Sequence, residues 1–203
     1  MVAIALDTAT GFAAVGVLHE GAWHERVERG ERAAQSALGL LDAALAEAAA
    51  APTEIDRVVV GCGPGSFTAL RIGLAMARGL ADAAAAELCG VSTLAALLAG
   101  ADEPAVAVID ARRGEVFAEG AGIAARAIDP AALAAALPAG TLVVGDGALA
   151  WRGVFENAGA RVPPDGDPRH APRPSALLAL ADRDPQPALA LYLRDPDAVA
   201  VAP

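Results

Sequence analysis

The 203-residue sequence contains no lysine, because all 15 of its basic residues are arginine. A P-loop holds phosphate groups with a lysine next to its Ser or Thr, so this absence argues against that nucleotide-binding loop. Aromatic residues make up only 3% of the chain, although hydrophobic residues make up 55%. We therefore expect a core built mainly from Ala, Val and Leu, in which helices can approach one another closely.

Cysteine is scarce as well. Cys62 and Cys89 form no C-x-x-C pair, which favours buried free thiols in a reducing compartment over a disulfide. Asp7 interrupts the first apolar run and no basic segment precedes it, so we expect no signal peptide. No run approaches the roughly 18 uncharged apolar residues that would span a membrane. The sequence thus predicts a soluble, cytoplasmic protein without a membrane contact.

Negative charge dominates the chain. The formal net charge is −10 and the isoelectric point is about 4.7. The average surface should repel a phosphate backbone, so we expect the chain to meet nucleic acid only indirectly, beside a basic partner.

Residues 58–80 form the most informative stretch. Three valines starting at Val58 predict a buried strand, and three glycines and a proline then turn the chain tightly. Ser66 is placed to cap the helix that follows. Because a helix start presents free N–H groups and a positive dipole end, Gly63, Gly65 and Ser66 form a possible phosphate-facing turn.

Two other nucleotide or catalytic patterns fit this turn poorly. The dinucleotide-binding fingerprint lacks its third glycine, since Ser66 stands there, and Glu87 begins the next apolar stretch instead of ending a second strand. The nucleophile elbow needs glycine at the positions of Pro64 and Thr68. A structural turn without a ligand stays open as the plain alternative.

Residues 63–73 read Gly-Pro-Gly-Ser-Phe-Thr-Ala-Leu-Arg-Ile-Gly and resemble the signature of the TsaB (YeaZ) family. Members of that family are dimerisation subunits of the bacterial machinery that makes threonylcarbamoyladenosine in tRNA. This chain has Ala69 where the family usually has glycine. The resemblance extends to residues 4–10, 90–94, 109–117 and 190–194.

The apolar pattern predicts two related units. Strands over residues 2–6, 12–18 and 22–27 form a meander, followed by a helix at 31–51, a strand at 57–61, a helix at 66–83, a strand at 88–91 and a helix at 92–99. The pattern restarts with strands at 105–109 and 115–121, and the apolar run ending in Gly-x-Gly at 58–63 recurs at 142–147. These repeats indicate an internal duplication with a shorter second copy.

Two such copies match the plan of the actin/Hsp70/sugar-kinase (ASKHA) superfamily, a duplicated RNase H-like α/β unit, and the TsaB resemblance implies the same fold. We predict an N-terminal subdomain over residues 1–101, which carries the dimerisation helices, and a smaller C-terminal subdomain over residues 102–203.

Asp7 and Asp110 match the positions at which members of this superfamily carry aspartate for metal and phosphate work. The alternative is that Asp7 and Thr8 only cap the hairpin turn through side-chain bonds to backbone amides. We favour the alternative, because Asp146 puts a carboxylate where a phosphate would have to sit in the second unit.

The related TsaD-type enzymes hold a metal with a His-x-x-x-His helix. His19, His24 and His170 are not spaced in this way, and Gln35-Ser36 stands where TsaB relatives often keep His-Ser. We therefore predict no metal site and no catalytic residue. The same absence argues against a glycopeptidase, an older idea attached to such families.

The resemblance implies a non-catalytic scaffold that pairs with a TsaD-type transferase, joined by a TsaE-type ATPase, and forms a homodimer when alone. We predict no cofactor of the chain's own, and whether ATP or ADP with Mg²⁺ binds at the interface of the complex stays open. Gly39, Ala43, Ala46 and Ala50 form a small-residue stripe on the first helix that would let another helix come close. The predicted partner contacts are Leu38, Leu41, Leu45, Leu70, Arg71 and Leu74. The rival hypothesis is an ATP-binding or ATP-hydrolysing enzyme that uses Asp7 and the glycine turns.

Overall fold

Two mixed β-sheets organise the chain in the computed structural model, which describes residues 1–194. The end of the predicted second subdomain, residues 195–203, lies outside the described residues. The first sheet contains β1 (Val2–Asp7), β2 (Phe12–His19), β3 (Ala22–Arg29), β4 (Ile55–Gly61) and β5 (Glu87–Val91), with helices α1 (Ala33–Glu47), α2 (Phe67–Ala84) and α3 (Thr93–Ala99). The second sheet contains β6 (Ala105–Arg112), β7 (Glu115–Gly120), β8 (Ile123–Ile128) and β9 (Leu142–Val144), with helices α4 (Pro130–Ala136), α5 (Asp146–Ala150) and α6 (Arg152–Asn157). Helix α7 (Pro174–Arg183) follows them in the chain.

The two sheets repeat one topology. The strand order is β3-β2-β1-β4-β5 in the first sheet and β8-β7-β6-β9 in the second. In each, an antiparallel meander is followed by a strand that returns through a helical crossover to pair in parallel with the first strand of the unit. The predicted duplication is confirmed, and the fold is the predicted α/β architecture of two related units with a shorter second copy.

The first sheet is covered on both faces. Side chains alternate along β1, so Ile4 and Leu6 face the core beneath α1 and α2. Ala3 and Ala5 face the opposite side, where α7 places Leu177. Large residues therefore fill the space under the long helices, and small residues allow α7 to lie close.

The chain returns to the first sheet near its end. Helix α7 packs against β1, β2, β4 and β5, and Asp182 on α7 forms an ion pair with Arg57 on β4. The backbone N–H of Leu191 then donates to the carbonyl of Cys62 at 2.7 Å. The division at residues 101 and 102 stays a prediction, but α7 and the backbone of Leu191 contact the first unit.

Several predicted boundaries shift by a few residues. The helix expected over residues 31–51 is shorter, because the chain turns at Ala49, whose φ is 51°, and Ala50 donates its N–H to Leu45. Both cysteines are buried free thiols, as predicted.

Candidate functional site

The glycine-rich turn before α2 uses its amides inside the chain. The N–H of Gly63 donates to the Thr93 hydroxyl at 3.0 Å, and the N–H of Ser66 donates to the carbonyl of Ala9 at 2.7 Å. Gly65 lies so close to Ala9 that an added Cβ would overlap its carbonyl oxygen. These two N–H groups of the predicted phosphate-facing turn are therefore not available to a phosphate.

The predicted capping role of Ser66 is wrong. Ser66 occupies the N-cap position of α2 with an extended backbone, but its hydroxyl makes no capping hydrogen bond. Ser92 does cap α3, since its hydroxyl accepts from the N–H of Ala95 at 3.3 Å. The first-turn amides of α2 thus receive no internal side-chain cap.

Asp7 is 1% exposed and is held by two donors. One carboxylate oxygen accepts from the N–H of Ala9 at 2.8 Å, and the other accepts from the Thr93 hydroxyl at 2.6 Å. Burial raises the pKa of Asp7 to about 6, and the hydrogen bond from Thr93 opposes part of that rise. An added Cβ at Gly61 would overlap this carboxylate, which explains the glycine at the end of β4.

These contacts agree with the turn-capping role predicted for Asp7 but not with the one predicted for Thr8. The bond from the Ala9 amide is the expected side-chain cap of the hairpin turn. The hydroxyl of Thr8 instead donates to the carbonyl of Ala69 on α2 at 2.7 Å, so the turn-capping role predicted for Thr8 is wrong. This bond ties the start of α2 to β1.

Asp146 links the two units. Its carboxylate accepts from the N–H of Gly11 at 2.7 Å and from the N–H of Asp110 at 3.2 Å. Burial raises the pKa of Asp146 to about 6, while the bond from Gly11 lowers it. We call this pair of bonds the Asp146 clasp.

The Asp146 clasp makes the Gly11 amide unavailable to a phosphate, because a carboxylate of the chain already accepts its hydrogen bond. A nucleotide phosphate would meet this negative charge and the buried Asp7 beside it. The surroundings of Asp7, Gly11 and Asp146, which we call the cleft, therefore do not fit a magnesium–nucleotide complex.

The predicted partner contacts divide into two groups. Leu41, Leu45 and Leu70 are 1%, 4% and 1% exposed, so they belong to the core of the chain, and their assignment as partner contacts is corrected. Their long apolar side chains are more stable against the sheet than in water. Leu38 is 55% exposed, while Leu74 is half-buried; together with exposed Arg71 they stay predicted contacts.

The exposed sides of α1 and α2 combine small residues with charged ones such as Asp42, Arg78 and Asp82. The two helices contact each other on the same side of the first sheet. Three members of the predicted stripe are exposed, but Ala50 is buried. We call the following set the small-residue face: Gly39, Ala43 and Ala46 of α1, and Ala75, Gly79 and Ala83 of α2.

Gly39 and Gly79 have no role in the packing of the chain itself. A Cβ added at either position would meet nothing within 4 Å, and neither backbone has a positive φ. Glycine inside a helix costs about 1 kcal/mol relative to alanine. Two unforced glycines on one exposed face are therefore typical of a surface that another helix approaches closely.

Sequence reasoning missed a cavity of about 560 Å³ beside the start of α2. It is lined by α2, by the β6–β7 hairpin and by residues 191–194. The adjacent arginines Arg112 and Arg113, in a turn where glycine or asparagine would be expected, are the signal that could have pointed to it.

Other site types receive no support from residues 1–194. Within this range no group of three His, Cys, Asp or Glu side chains is placed to hold a metal ion. None of the helices in the same range combines the length and the apolar character needed to cross a bilayer.

Comparison with known proteins agrees with this fold. The family model described as TsaD, tRNA N6-adenosine threonylcarbamoyltransferase, matches residues 29–143. The solved structure of YeaZ from Pseudomonas aeruginosa superposes with a TM-score of 0.75 at 30% identity, covering 95% of this chain and 99% of that chain.

Similar proteins of known sequence support the same family assignment. An uncharacterized protein of Mycobacterium tuberculosis is 37% identical over 98% of this chain and 94% of its own length. The tRNA threonylcarbamoyladenosine biosynthesis protein TsaB of Escherichia coli is 37% identical over 120 residues, which is 56% of this chain and 52% of that protein. On the shared fold, the matching motifs and these relatives, the chain belongs to the TsaB/YeaZ family.

Proposed function

We propose that this chain is a non-catalytic scaffold subunit that pairs with a TsaD-type transferase and activates it. The partner would transfer threonylcarbamoyl from an adenylate to adenosine 37 of ANN-decoding tRNAs, forming N6-threonylcarbamoyladenosine. An accessory ATPase of the TsaE type would join the assembly. Membership of the TsaB/YeaZ family supports this role, since its Escherichia coli member is named for threonylcarbamoyladenosine biosynthesis in tRNA.

The small-residue face carries the proposal about how the partner docks. Gly39 and Gly79 are exposed, lie inside their helices and have open space around their Cα atoms. Helices of a partner can approach such a face closely and gain dispersion contacts along the backbone. Leu38 stands beside it as an exposed apolar side chain that a partner would cover.

The same face accounts for a homodimer of the isolated chain. An isologous contact would place α1 and α2 of one copy against the same helices of a second copy. The transferase would then displace that copy, because both partners need the same surface. Homodimer and heterodimer are therefore mutually exclusive in this proposal.

Charge supports an indirect role toward tRNA. A chain with a net charge of −10 repels the phosphate backbone at long range. The transferase would supply the main tRNA contact, and this chain would hold it in the active arrangement.

The rival hypothesis of an ATP-hydrolysing enzyme meets two obstacles in the cleft. Asp7 is engaged by Thr93 and Ala9, and the Gly11 amide is engaged by Asp146. Any ATP or ADP with Mg²⁺ in the assembly would therefore bind at the interface of the complex and not in this cleft. The Asp7→Asn variant separates the two hypotheses. The enzyme hypothesis requires that the substitution abolish ATP turnover by the isolated chain. The scaffold hypothesis predicts negligible ATP turnover by both the wild type and the variant.

The first experiment mixes the purified chain with the TsaD-type protein of the same organism and measures mass by light scattering during size-exclusion chromatography. We expect a one-to-one complex to replace the homodimer. Gly79→Leu should fold normally, since its surroundings are open, and should abolish the complex. The control is Gly153→Leu on α6, which is equally open but lies away from the small-residue face.

Two results would contradict the proposal. Absence of a complex at tens of micromolar, with and without ATP and the TsaE-type protein, removes the scaffold function. A complex that tolerates Gly79→Leu as well as it tolerates Gly153→Leu keeps the function but moves the docking surface elsewhere.

A further inference from the structure

The 560 Å³ cavity beside α2 has the size of a small-molecule site. Three separate parts of the chain form its walls: the first turn of α2, the β6–β7 hairpin and residues 191–194. Within residues 1–194, its lining shares Asp110 with the Asp146 clasp but contains neither Asp146 nor any residue of the small-residue face, and Arg71 is the one predicted partner contact in it. Neither the family fold nor the proposed scaffold role requires it.

Arginines concentrate in this cavity. Arg71, Arg112, Arg113 and Arg194 line it, whereas Asp110 is the one acidic residue in the lining of this cavity in the described part of the chain. Such a cluster is unusual in a protein with a net charge of −10. Self-repulsion among the guanidinium groups is relieved when an anion binds between them.

Part of this positive charge is already balanced. Arg112 pairs with Asp110 at 3.1 Å, and Arg194 pairs with Glu115 at 3.4 Å. Arg71 differs, because within residues 1–194 it forms no ion pair and places its guanidinium 3.8 Å from the centre of the Phe67 ring. Its charge is therefore available to an incoming ligand.

The hairpin holds its arginines in an unfavourable backbone conformation. Arg112 and Arg113 have φ angles of 61° and 56°, in the left-handed region where glycine or asparagine is preferred. Such conformations cost about 1 kcal/mol or more per residue, and they recur at ligand-binding positions. Here they direct two arginines of one turn to the lining of the cavity.

Aromatic rings concentrate in the same place. The chain has two tryptophans, one tyrosine and four phenylalanines, and three of these residues, Phe67, Phe117 and Tyr192, line the cavity. Phe67 and Tyr192 are 52% and 49% exposed, with ring centres 5.9 Å apart. Half-exposed rings beside cations suit a ligand that has a flat group next to its charge.

We propose that this cavity binds a small phosphate monoester that carries a flat ring, of the chemical class of a nucleoside monophosphate or an aryl phosphate. The phosphate lies near Arg71 and the arginines of the hairpin, at the uncapped start of α2. The ring lies against the aromatic side chains. The site belongs to this chain alone, so it does not depend on the transferase partner.

The test is calorimetric titration of the full chain with four probes at low salt: AMP, phenyl phosphate, inorganic phosphate and adenosine. We expect AMP and phenyl phosphate to bind about tenfold or more tightly than either inorganic phosphate or adenosine, because only they combine charge and ring. AMP alone binding well would assign a base-specific form of the same site.

Matched variants identify the site. Arg71→Ala should weaken AMP and phenyl phosphate binding by about tenfold, the loss of one charge-assisted contact. Arg78→Ala, two turns further along α2 and outside the cavity lining, should leave binding unchanged. Arg113→Asn removes a cation at a position whose left-handed backbone also suits asparagine, so it should weaken binding while the far-UV circular dichroism spectrum stays unchanged.

Several outcomes overturn the proposal. These are no binding of any probe below about 1 mM, inorganic phosphate binding as tightly as AMP, or equal effects of Arg71→Ala and Arg78→Ala. All of them are independent of complex formation, so they leave the proposed scaffold function standing.

Discussion

Replacing both glycines of the small-residue face by alanine should change stability and partner binding in opposite directions. Gly39 and Gly79 are helix-interior residues with room for a Cβ atom. Each change to alanine should raise the free energy of unfolding by about 1 kcal/mol, because alanine loses less backbone entropy in a helix. The double variant should thus gain about 2 kcal/mol, which in a chain of this length raises the melting temperature by roughly 4–8 °C.

Binding should weaken in the same variant. Two methyl groups at the centre of a close helix contact force the helices apart, and a loss of about 1.4 kcal/mol would raise Kd about tenfold. Urea unfolding of the isolated chain measures the first effect under conditions where it is monomeric. Titration with the TsaD-type protein measures the second.

The control is Gly153→Ala, which should affect stability only slightly and binding not at all, because Gly153 lies on the short helix α6. A stabilised double variant with unchanged Kd would refute the reasoning that these glycines serve a partner. A variant that loses stability would show that the space around the two positions is not open in the isolated chain.

Three further predictions concern the core and the cleft. Leu41→Ala should lower the free energy of unfolding by about 2–5 kcal/mol, because it leaves a cavity in the core. Leu38→Ala, at an exposed site, should change the free energy of unfolding by no more than about 0.5 kcal/mol. Equal costs in urea unfolding would contradict the two burial assignments. Gly61→Ala should cost about 1–3 kcal/mol or more, since its Cβ overlaps the Asp7 carboxylate, and adding Asp7→Ala should recover part of that loss in a double-mutant cycle. Because burial raises the pKa of Asp7 from 3.8 to about 6, the folded chain holds this proton more tightly than the unfolded chain, so the associated stability is fully present below about pH 4 and is lost as the pH rises to about 6. Asp7→Asn should therefore flatten the pH dependence of unfolding between pH 4 and 6 and gain up to about 3 kcal/mol at pH 7; identical pH profiles for the variant and the wild type would contradict this assignment.

Local patterns were sufficient to predict the repeated architecture. Valines at 58–60, the recurring Gly-x-Gly and the spacing of Asp7 to Gly11 and Asp110 to Gly114 all reflect short-range rules of strands and turns. The structure repeats them even in detail, since Asp7 accepts from the N–H two residues on and Asp110 does the same.

The orientation of α1 could not be predicted in this way. Leu38, Leu41 and Leu45 recur at helical spacing and form a leucine stripe on this helix. The leucine stripe and the small-residue stripe are both compatible with a buried face, so periodicity does not decide between them. Burial of Leu41 and Leu45 removes more apolar area from water than burial of Gly39 or Ala43 would, and that difference sets the rotation of the helix. Leu38 lies at the edge of the leucine stripe and stays exposed.

The cavity beside α2 could not be predicted from the sequence, for a different reason. Its walls come from residues around 67, 112 and 192, which are far apart in sequence and meet only after α7 has returned the chain to the first sheet. No local sequence pattern predicts contacts between such distant segments. The one local signal is the pair of adjacent arginines in the β6–β7 turn, where the positive φ angles would favour glycine or asparagine.

The Asp146 clasp also bears on how this protein meets other molecules. A carboxylate bonded to the amides of Gly11 and Asp110 fixes the relative orientation of the two units without any bound ligand. The chain then needs no closing motion before it docks, so association loses little conformational entropy. A partner therefore encounters a preorganised surface, because two hydrogen bonds within the chain hold the two units together.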